Sequence, residues 1–346
     1  MGLYILDFNF ILMEIITNKN LTSLSLLVTL KCNLSCDYCY VFQKDIFMDF
    51  ETGKNAIDFF LVSAGEEKRI TFLGGEPLLN LPLVEKLLDY IEIKKRCSNK
   101  KIITLINTNG TILNKKIIDV LSKIDIIVIS FDGIKSSNDL NRRFYSGNGT
   151  FDIISKNLNI LLKKFPDKII LNKVISSSNV KYLYDDFIFL SGLKLFRVSI
   201  LLAAGDHYWD KNKLRLLESS FNNLSKYFNK NPSYKHIIRP LEESSSPVCI
   251  LSHLSCSPEG NFYPCEFLYF LGGESIGSLQ NIKKEFIRCT FSEQNPLCKS
   301  HKCLNCADIC KRKDFKRKSA GNAEGYSNLL KAEHILIKFK DTISKN

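Results

Sequence analysis

Three cysteines stand close together in "CNLSCDYCY", residues 32–40: Cys32, Cys36 and Cys39, spaced C-x3-C-x2-C. A closed tetrahedral metal site needs four protein ligands, and this run supplies three. Three thiolates can hold three irons of a four-iron, four-sulfur cluster and leave the fourth iron open to an outside ligand. Zinc is the competing metal, but the run lacks the second ligand pair of a structural zinc site. Tyr38, just before the third cysteine, would lie beside whatever binds the open position.

Three further polar motifs follow at regular intervals: "GGEP" (74–77), "NTNG" (107–110) and "SFDG" (130–133). Singly, "TNG" and "DG" are ordinary turn sequences. Their placement says more, because each ends a short apolar run. The runs are "LSLLVTL" (24–30), "ITFLG" (70–74), "IITLINT" (102–108), "IIVISF" (126–131), "IILNKVI" (169–175) and "FRVSIL" (196–201). Nearly continuous Val, Ile and Leu is the pattern of parallel strands covered on both faces.

The segments between read as helices. Asn80 is an N-cap candidate with Pro82 in the first turn, and Val84, Leu87, Leu88 and Ile91 form one stripe. Phe151, Ile154, Leu158, Leu161 and Phe165 form a second. Leu214, Leu217, Phe221, Leu224 and Phe228 form a third. Six strand–helix units predict an α/β fold, a partial (β/α)6 TIM-like barrel over 24–238, too short to close with eight strands. Active sites of such folds lie at the carboxyl ends of the strands, where all four polar motifs fall.

The chain has 346 residues, 45% hydrophobic and 24% charged, with a net charge of +12, ordinary for a folded domain apart from its basic excess. The start, 1–23, is apolar but carries Asp7 and Glu14 and has no basic head, so it is not read as a signal peptide. No apolar run reaches the roughly 20 residues of a membrane span. Twelve cysteines in a long chain without an export signal read as thiols and metal ligands, and the expected location is cytoplasmic. Cys97, in "KKRCSNK", reads as an exposed helix-end cysteine. "KRKDFKRK" (311–318) is the one dense basic run. A solvated tail is preferred there over a nucleic-acid site, since no aromatic platform or nucleic-acid fold motif stands beside it.

The motif "CNLSCDYC" resembles the signature of radical S-adenosylmethionine (SAM) enzymes. In that family the open iron chelates the amino and carboxylate groups of SAM. Electron transfer then yields a 5′-deoxyadenosyl radical, which abstracts hydrogen from an unactivated C–H bond. The resemblance makes Cys32, Cys36 and Cys39 the cluster ligands. It implies that Gly74, Gly75 and Glu76 meet the SAM amino group, with the Glu76 carboxylate paired to it, and that Ser130 lies near SAM. "NDLNRR" (138–143) aligns with the family's H-D-x-x-R, making Arg142 the partner of the SAM carboxylate, with Arg143 as the alternative. Asn138 stands where the family has His.

After about 235 the chain turns rich in Pro, Gly, Ser and Cys, and a boundary is placed in "RPLEESSSP" (239–247). Cys249, Gly260 and Cys265 resemble the entry motif of the SPASM extension, which binds auxiliary iron–sulfur clusters in peptide-modifying radical SAM enzymes. Cys298, Cys303, Cys306 and Cys310 depart from the family's next element. Cys256, Cys289 and His301 are further candidates for a Cys-rich SPASM-like domain over 239–318 with one or two auxiliary [4Fe-4S] clusters. A C-terminal helix or tail would fill 319–346. Glu266 is either a base facing the cavity between the clusters or an exposed surface glutamate.

The expectation is an enzyme that modifies a peptide or protein side chain. Formation of an oxidative thioether or carbon–carbon crosslink in a ribosomal peptide is the first choice. Sulfatase-maturase-type oxidation of Cys or Ser to formylglycine is the second, and an RNA or small-molecule substrate a third. The electron donor would be a flavodoxin or ferredoxin. With little room before residue 24, leader-peptide binding would fall to the barrel, the tail or a separate protein. A rival from another class is a zinc-stabilised nucleic-acid-binding protein, against which "GGEP" at a strand end counts.

Overall fold

The computed structural model describes residues 21–193, 197–203, 208–231, 252–263 and 266–270, with scattered positions from 272 to 282 and from 328 to 342. All six apolar runs are strands: β1 (Ser23–Thr29), β2 (Glu67–Gly74), β3 (Lys101–Thr108), β4 (Ile126–Ser130), β5 (Ile169–Ile175) and β6 (Arg197–Leu202). They bond in chain order, each parallel to the next. The returning helices are α1 (Phe50–Val62), α2 (Leu81–Cys97), α3 (Lys115–Ser122), α4 (Lys135–Asn141), α5 (Phe151–Lys164), α6 (Leu183–Ser191) and α7 (Lys211–Lys230). This is the partial β/α barrel that the alternation predicts.

Side chains alternate across each strand, and the two faces differ in chemistry. Leu24, Leu26, Val28, Ile70, Phe72, Ile127 and Ile129 join the helices in one buried apolar core. The opposite face, toward the barrel interior, is mixed: Ser25, Thr71, Asn107, Ser130, Asn172 and Ser199 alternate along their strands with apolar residues such as Leu27, Leu105, Val128 and Ile170. The predicted stripes are buried: Val84, Leu87, Leu88 and Ile91 on α2; Ile154, Leu158 and Leu161 on α5; Leu217, Phe221, Leu224 and Phe228 on α7. Asn80 does sit before α2, but its side chain caps nothing. It donates instead to the carbonyls of Val28 (2.9 Å) and Met48 (3.2 Å), tying the helix start to β1.

Beyond the barrel the sheet continues. Strand β7 (His253–Cys256) pairs in parallel with β1, and β8 (Asn261–Tyr263), β9 (Gly277–Ser278) and β10 (Asn281–Ile282) add antiparallel strands, giving ten among the described residues. The first barrel strand would otherwise leave an open edge, and β7 satisfies it. Leu254, Cys256 and Phe262 extend the barrel's own apolar core, so β7 and the strands paired to it are joined to the barrel by backbone pairing as well as packing. The boundary at 239–247 lies outside the described residues, as do 1–20 of the 1–23 extension and the basic run 311–318; the end of that extension already belongs to the barrel, with Leu21 in its core and Ser23 opening β1. From the C-terminal segment, Phe339 stacks on Phe221 of α7 with ring centroids 4.2 Å apart. Among the described residues no helix is long and apolar enough to cross a membrane.

Candidate active site

The loop after β1 carries Cys32, Cys36 and Cys39, none of them in a disulfide and all partly buried. Burial pushes the Cys32 thiol up to about 11. It pushes Cys36 up to about 12, against the pull of the nearby Arg142 charge. Cys39 raises both Cys32 and Cys36, and Cys32 raises Cys36, so the three sit within electrostatic reach of one another. Yet among the described residues no three His, Cys, Asp or Glu side chains converge on a point where a single metal ion would sit. Ligands of separate irons in one cluster do not need such convergence. Metal ligation requires the thiolates and would release these protons.

Backbone at the end of α4 and a side chain just after β3 hold the loop. Ser35 N–H donates to the Arg143 carbonyl (2.8 Å) and Asp37 N–H to that of Asn141 (3.0 Å). The "NTNG" motif contributes Asn109, whose Nδ2 donates to Asn33 Oδ1 (2.8 Å) and lies 3.7 Å from Cys32 Sγ. Leu34 N–H also points at Cys32 Sγ, at 3.4 Å. Donors aimed at a ligating sulfur tune a cluster's potential.

The "GGE" bend corrects one expectation. Glu76 is fully buried, and its carboxylate accepts from Leu78 N–H (3.1 Å), Thr108 Oγ1 (2.8 Å) and Asn109 N–H (2.7 Å). Burial raises its carboxyl to about 7, with these donors pulling the other way. The side chain is a keystone joining the ends of β2 and β3 and is not turned toward a ligand. The glycines serve close approach of backbone to backbone. Gly75 N–H bonds the Thr29 carbonyl and Glu76 N–H that of Lys31, both at 2.8 Å. A Cβ at Gly75 would fall 2.2 Å from Lys31 O, and one at Gly74, whose φ is +146°, 2.0 Å from Thr29 O. Gly74→Ala is therefore expected to destabilise the protein by about 3 kcal/mol or more, from left-handed strain plus overlap with backbone that cannot yield. Chemical denaturation of the two proteins measures it.

At the end of β4, Ser130 lies on the inner face beside Asn172 of β5. Asp132 follows. Its Oδ2 accepts from Tyr38 OH (2.5 Å) and its Oδ1 from Arg142 Nη2 (3.2 Å). The Arg142 side chain is 6% exposed, and its guanidinium carbon lies 5.3 Å from the Tyr38 ring centroid. Burial opposes its charge, but Asp132, Tyr38 and Cys36 more than restore it. Its Nε is buried and has no hydrogen-bond partner among the described residues. Arg143 differs: its guanidinium is spent on the carbonyls of Asp139 (2.9 Å) and Leu140 (2.6 Å) at the end of α4. Of the two arginines, only Arg142 joins the cysteine loop through Tyr38. Asn138 holds the place of the family's His by accepting from Asp132 N–H (3.3 Å). The residues fit the expected group: three thiols on one loop, and beside them a buried cation with an unused donor.

Across the inner face, Glu266 opens the short helix α8 (Glu266–Phe270) and is 21% exposed, so the exposed-surface alternative does not hold. Its Oε2 lies 3.3 Å from both His253 Nε2 and Ser255 Oγ. Burial raises its carboxyl, but His253 and these hydrogen bonds outweigh it and hold it below the usual range. His253 also lies 3.3 Å from Ser25 Oγ, so the cluster spans β7 and β1. Cys256, on the other face of β7, is buried in the apolar core with its thiol pushed up to about 12 by desolvation. That placement corrects its candidacy as an auxiliary ligand, because it faces the helices and not the interior. Cys97 is exposed, as expected. Cys249, Cys265, Cys289, Cys298, His301, Cys303, Cys306 and Cys310 lie outside the described residues. Sequence reasoning missed Asn33, Asn109, Asp132 and His253; for the middle two the signal was the turn motif already noted.

Fold and site together define a partial-barrel enzyme of the class that opens a three-cysteine cluster loop at its first strand end. Comparison agrees: residues 26–180 match the radical SAM superfamily. The protein MJ0907 of Methanocaldococcus jannaschii is 34% identical over 267 residues, 75% of this chain and 88% of that one. This chain belongs to the radical SAM superfamily, whose members hold a [4Fe-4S] cluster and SAM. The radical SAM cyclopropyl synthase TigE of Paramaledivibacter caminithermalis is 29% identical over 206 residues, 54% of this chain but only 42% of the synthase. A cysteine-type anaerobic sulfatase-maturating enzyme of Clostridium perfringens is 26% identical over 332 residues, 84% of this chain and 88% of that one. Among solved structures, anSMEcpe with bound AdoMet superposes with a TM-score of 0.69 at 21% identity, covering 94% of this chain and 96% of that one. Streptococcus suis SuiB bound to the precursor peptide SuiA gives 0.57 at 16% identity, covering 83% and 68%.

Proposed function

We propose that this enzyme cleaves SAM reductively and modifies a side chain of a peptide or protein, with an oxidative thioether or carbon–carbon crosslink in a ribosomal peptide as the first choice. The single observation that carries the reading is the convergence of the three-cysteine loop and the "GGE" bend at adjoining strand ends with buried Arg142, which follows α4 and meets the loop through Asp132 and Tyr38. When bound, cluster and SAM supply a radical able to take hydrogen from an unactivated C–H bond. This chain's part is to hold and orient. Cys32, Cys36 and Cys39 would ligate the cluster. The Gly74–Gly75 backbone would meet the SAM amino group, Ser130 would line its pocket, and Arg142 would take its carboxylate. Glu266, ionised and aimed into the interior, would accept a substrate proton. Cys249, Cys265, Cys298, Cys303, Cys306 and Cys310, with Cys289 or His301, would hold one or two auxiliary clusters. A flavodoxin or ferredoxin would deliver electrons.

Peptide substrates are supported by SuiB, whose structure holds a precursor peptide, and by the maturases. The sulfatase-maturase alternative has equal support, since similarity to such an enzyme runs through most of both chains. The family assignment displaces the zinc-stabilised nucleic-acid-binding alternative. The anaerobically reconstituted enzyme with SAM and a strong reductant is expected to release 5′-deoxyadenosine; none from a fully loaded cluster overturns the reading. Mass spectrometry of offered peptides separates the alternatives. A crosslink appears as loss of two hydrogens with no new carbonyl, whereas formylglycine reacts with a hydrazine.

A further inference from the structure

We infer that Asp132 is a positioning residue for SAM: its carboxylate fixes Tyr38 of the cluster loop and the Arg142 guanidinium in one arrangement before the ligand arrives. The inference rests on the reading of Arg142 as the group that meets the SAM carboxylate.

Asp132 is wholly buried, and every polar atom it has is engaged. Its N–H donates to Asn138 Oδ1 at 3.3 Å, and its carbonyl accepts from Lys173 Nζ. Oδ1 accepts from Arg142 Nη2 at 3.2 Å and Val174 N–H at 3.0 Å, and Oδ2 from Tyr38 OH at 2.5 Å. An aspartate serving only a turn would bond its own backbone two residues on. This one reaches residues 94, 42 and 10 positions away, in the cluster loop, β5 and the end of α4. Gly133, at φ +130°, lets the turn pass so close to Asp186 that a Cβ there would meet Asp186 Oδ1 at 2.3 Å. The turn is thus clamped from both sides.

Arg142 shows what the clamp is for. One edge of its guanidinium is neutralised by Asp132, one face lies against Tyr38, and Nε has no acceptor among the described residues. A buried charged donor left unused is unfavourable unless a ligand supplies the acceptor. A planar fork already held in place loses less freedom on binding an anion than one that must first be ordered. Tyr38 lies between Cys36 and Cys39, so the same carboxylate also ties the anion-binding cation to the loop that carries the metal.

The test is the variant Asp132→Asn, which keeps shape and removes charge, with Tyr38→Phe as the milder second variant. Each is reconstituted anaerobically, its iron and sulfide counted, and the electron paramagnetic resonance spectrum of the reduced cluster titrated with SAM. With cluster content equal to wild type, D132N is expected to need about tenfold more SAM or higher for the half-maximal spectral change, the scale of one lost charge-assisted hydrogen bond. Y38F is expected to shift in the same direction by less. The effect on turnover should appear in the KM for SAM more than in kcat. A fully loaded D132N that titrates like wild type overturns the inference. If D132N fails to load iron, an unshifted Y38F overturns it. A loaded wild-type enzyme whose spectrum ignores SAM overturns the underlying reading of the site, and the inference falls with it.

Discussion

Alanine in place of Cys32, Cys36 or Cys39 is expected to reduce 5′-deoxyadenosine release to the uncatalysed background. Under the proposed ligation these thiolates are the only protein bonds to the SAM-binding cluster, so losing one leaves too few to retain it. Arg142, Tyr38 and Asp132 would remain in place, with nothing to deliver an electron to the ligand they position. Iron and sulfide assays should show the loss of one cluster's content, while chemical denaturation should show the barrel intact, because all three side chains lie on a loop outside the apolar core. Cys256→Ala and Cys97→Ser are the controls. The first removes a buried sulfur from the core and is expected to destabilise by about 1 kcal/mol without loss of cleavage. The second changes an exposed helix end and should change neither quantity. Retention of full cleavage by any triad variant would show that other residues hold the cluster.

The largest effect on stability is expected from Lys173→Met. Lys173 and Asp186 form an ion pair at 2.5 Å with both side chains fully buried. Asp186 also accepts from Ser137 Oγ (2.7 Å) and Ile134 N–H (3.0 Å). Removing one partner of such a pair leaves an uncompensated buried charge, typically destabilising by about 3–5 kcal/mol. Burial already raises the Asp186 carboxyl above its usual value, with Lys173 pulling it back. Without Lys173 it should rise further. The unfolded chain has an ordinary carboxylate there, so the stability linked to this group is fully present below the ordinary carboxylate value. It is lost as pH rises through the raised folded value. K173M should therefore be closest to wild type in acid and fall further behind toward neutrality, as urea unfolding at several pH values would show. A pH-independent difference would mean that the lost contact with the Asp132 carbonyl dominates. Because that carbonyl belongs to the turn carrying the Arg142 partner, K173M should also bind SAM more weakly.

Much of the architecture is local in origin and could be read from the chain. Six apolar runs became six parallel strands in order, and three stripes at helical spacing became buried helix faces, because strand and helix periods are written in near neighbours. The cysteine spacing likewise showed that three thiols would share one loop after the first strand. The reading failed where a side chain has more than one place to go. Asn80 had the identity and position of a cap, but two carbonyls, one in β1 and one just before α1, lay closer to its amide. Glu76 had the identity of a cation ligand, but its carboxylate turned inward to the donors at Thr108 and Asn109. Cys256 belonged to the Cys-rich tail by composition, yet the pairing of β7 with β1 put it on the helix side of the sheet.

The sequence by itself determined the superfamily, the partial barrel and the identity of the three thiols, since each depends on residue type and short-range spacing. Only the tertiary structure decided which arginine turns its guanidinium to the cysteine loop, what the glycine bend is packed against, and that the aspartate of an ordinary-looking turn joins Tyr38 to Arg142. Those outcomes depend on which backbone donors and acceptors a buried polar group meets across the sheet. Partners 94 residues apart in the chain, as Tyr38 and Asp132 are, leave no local trace of their bond.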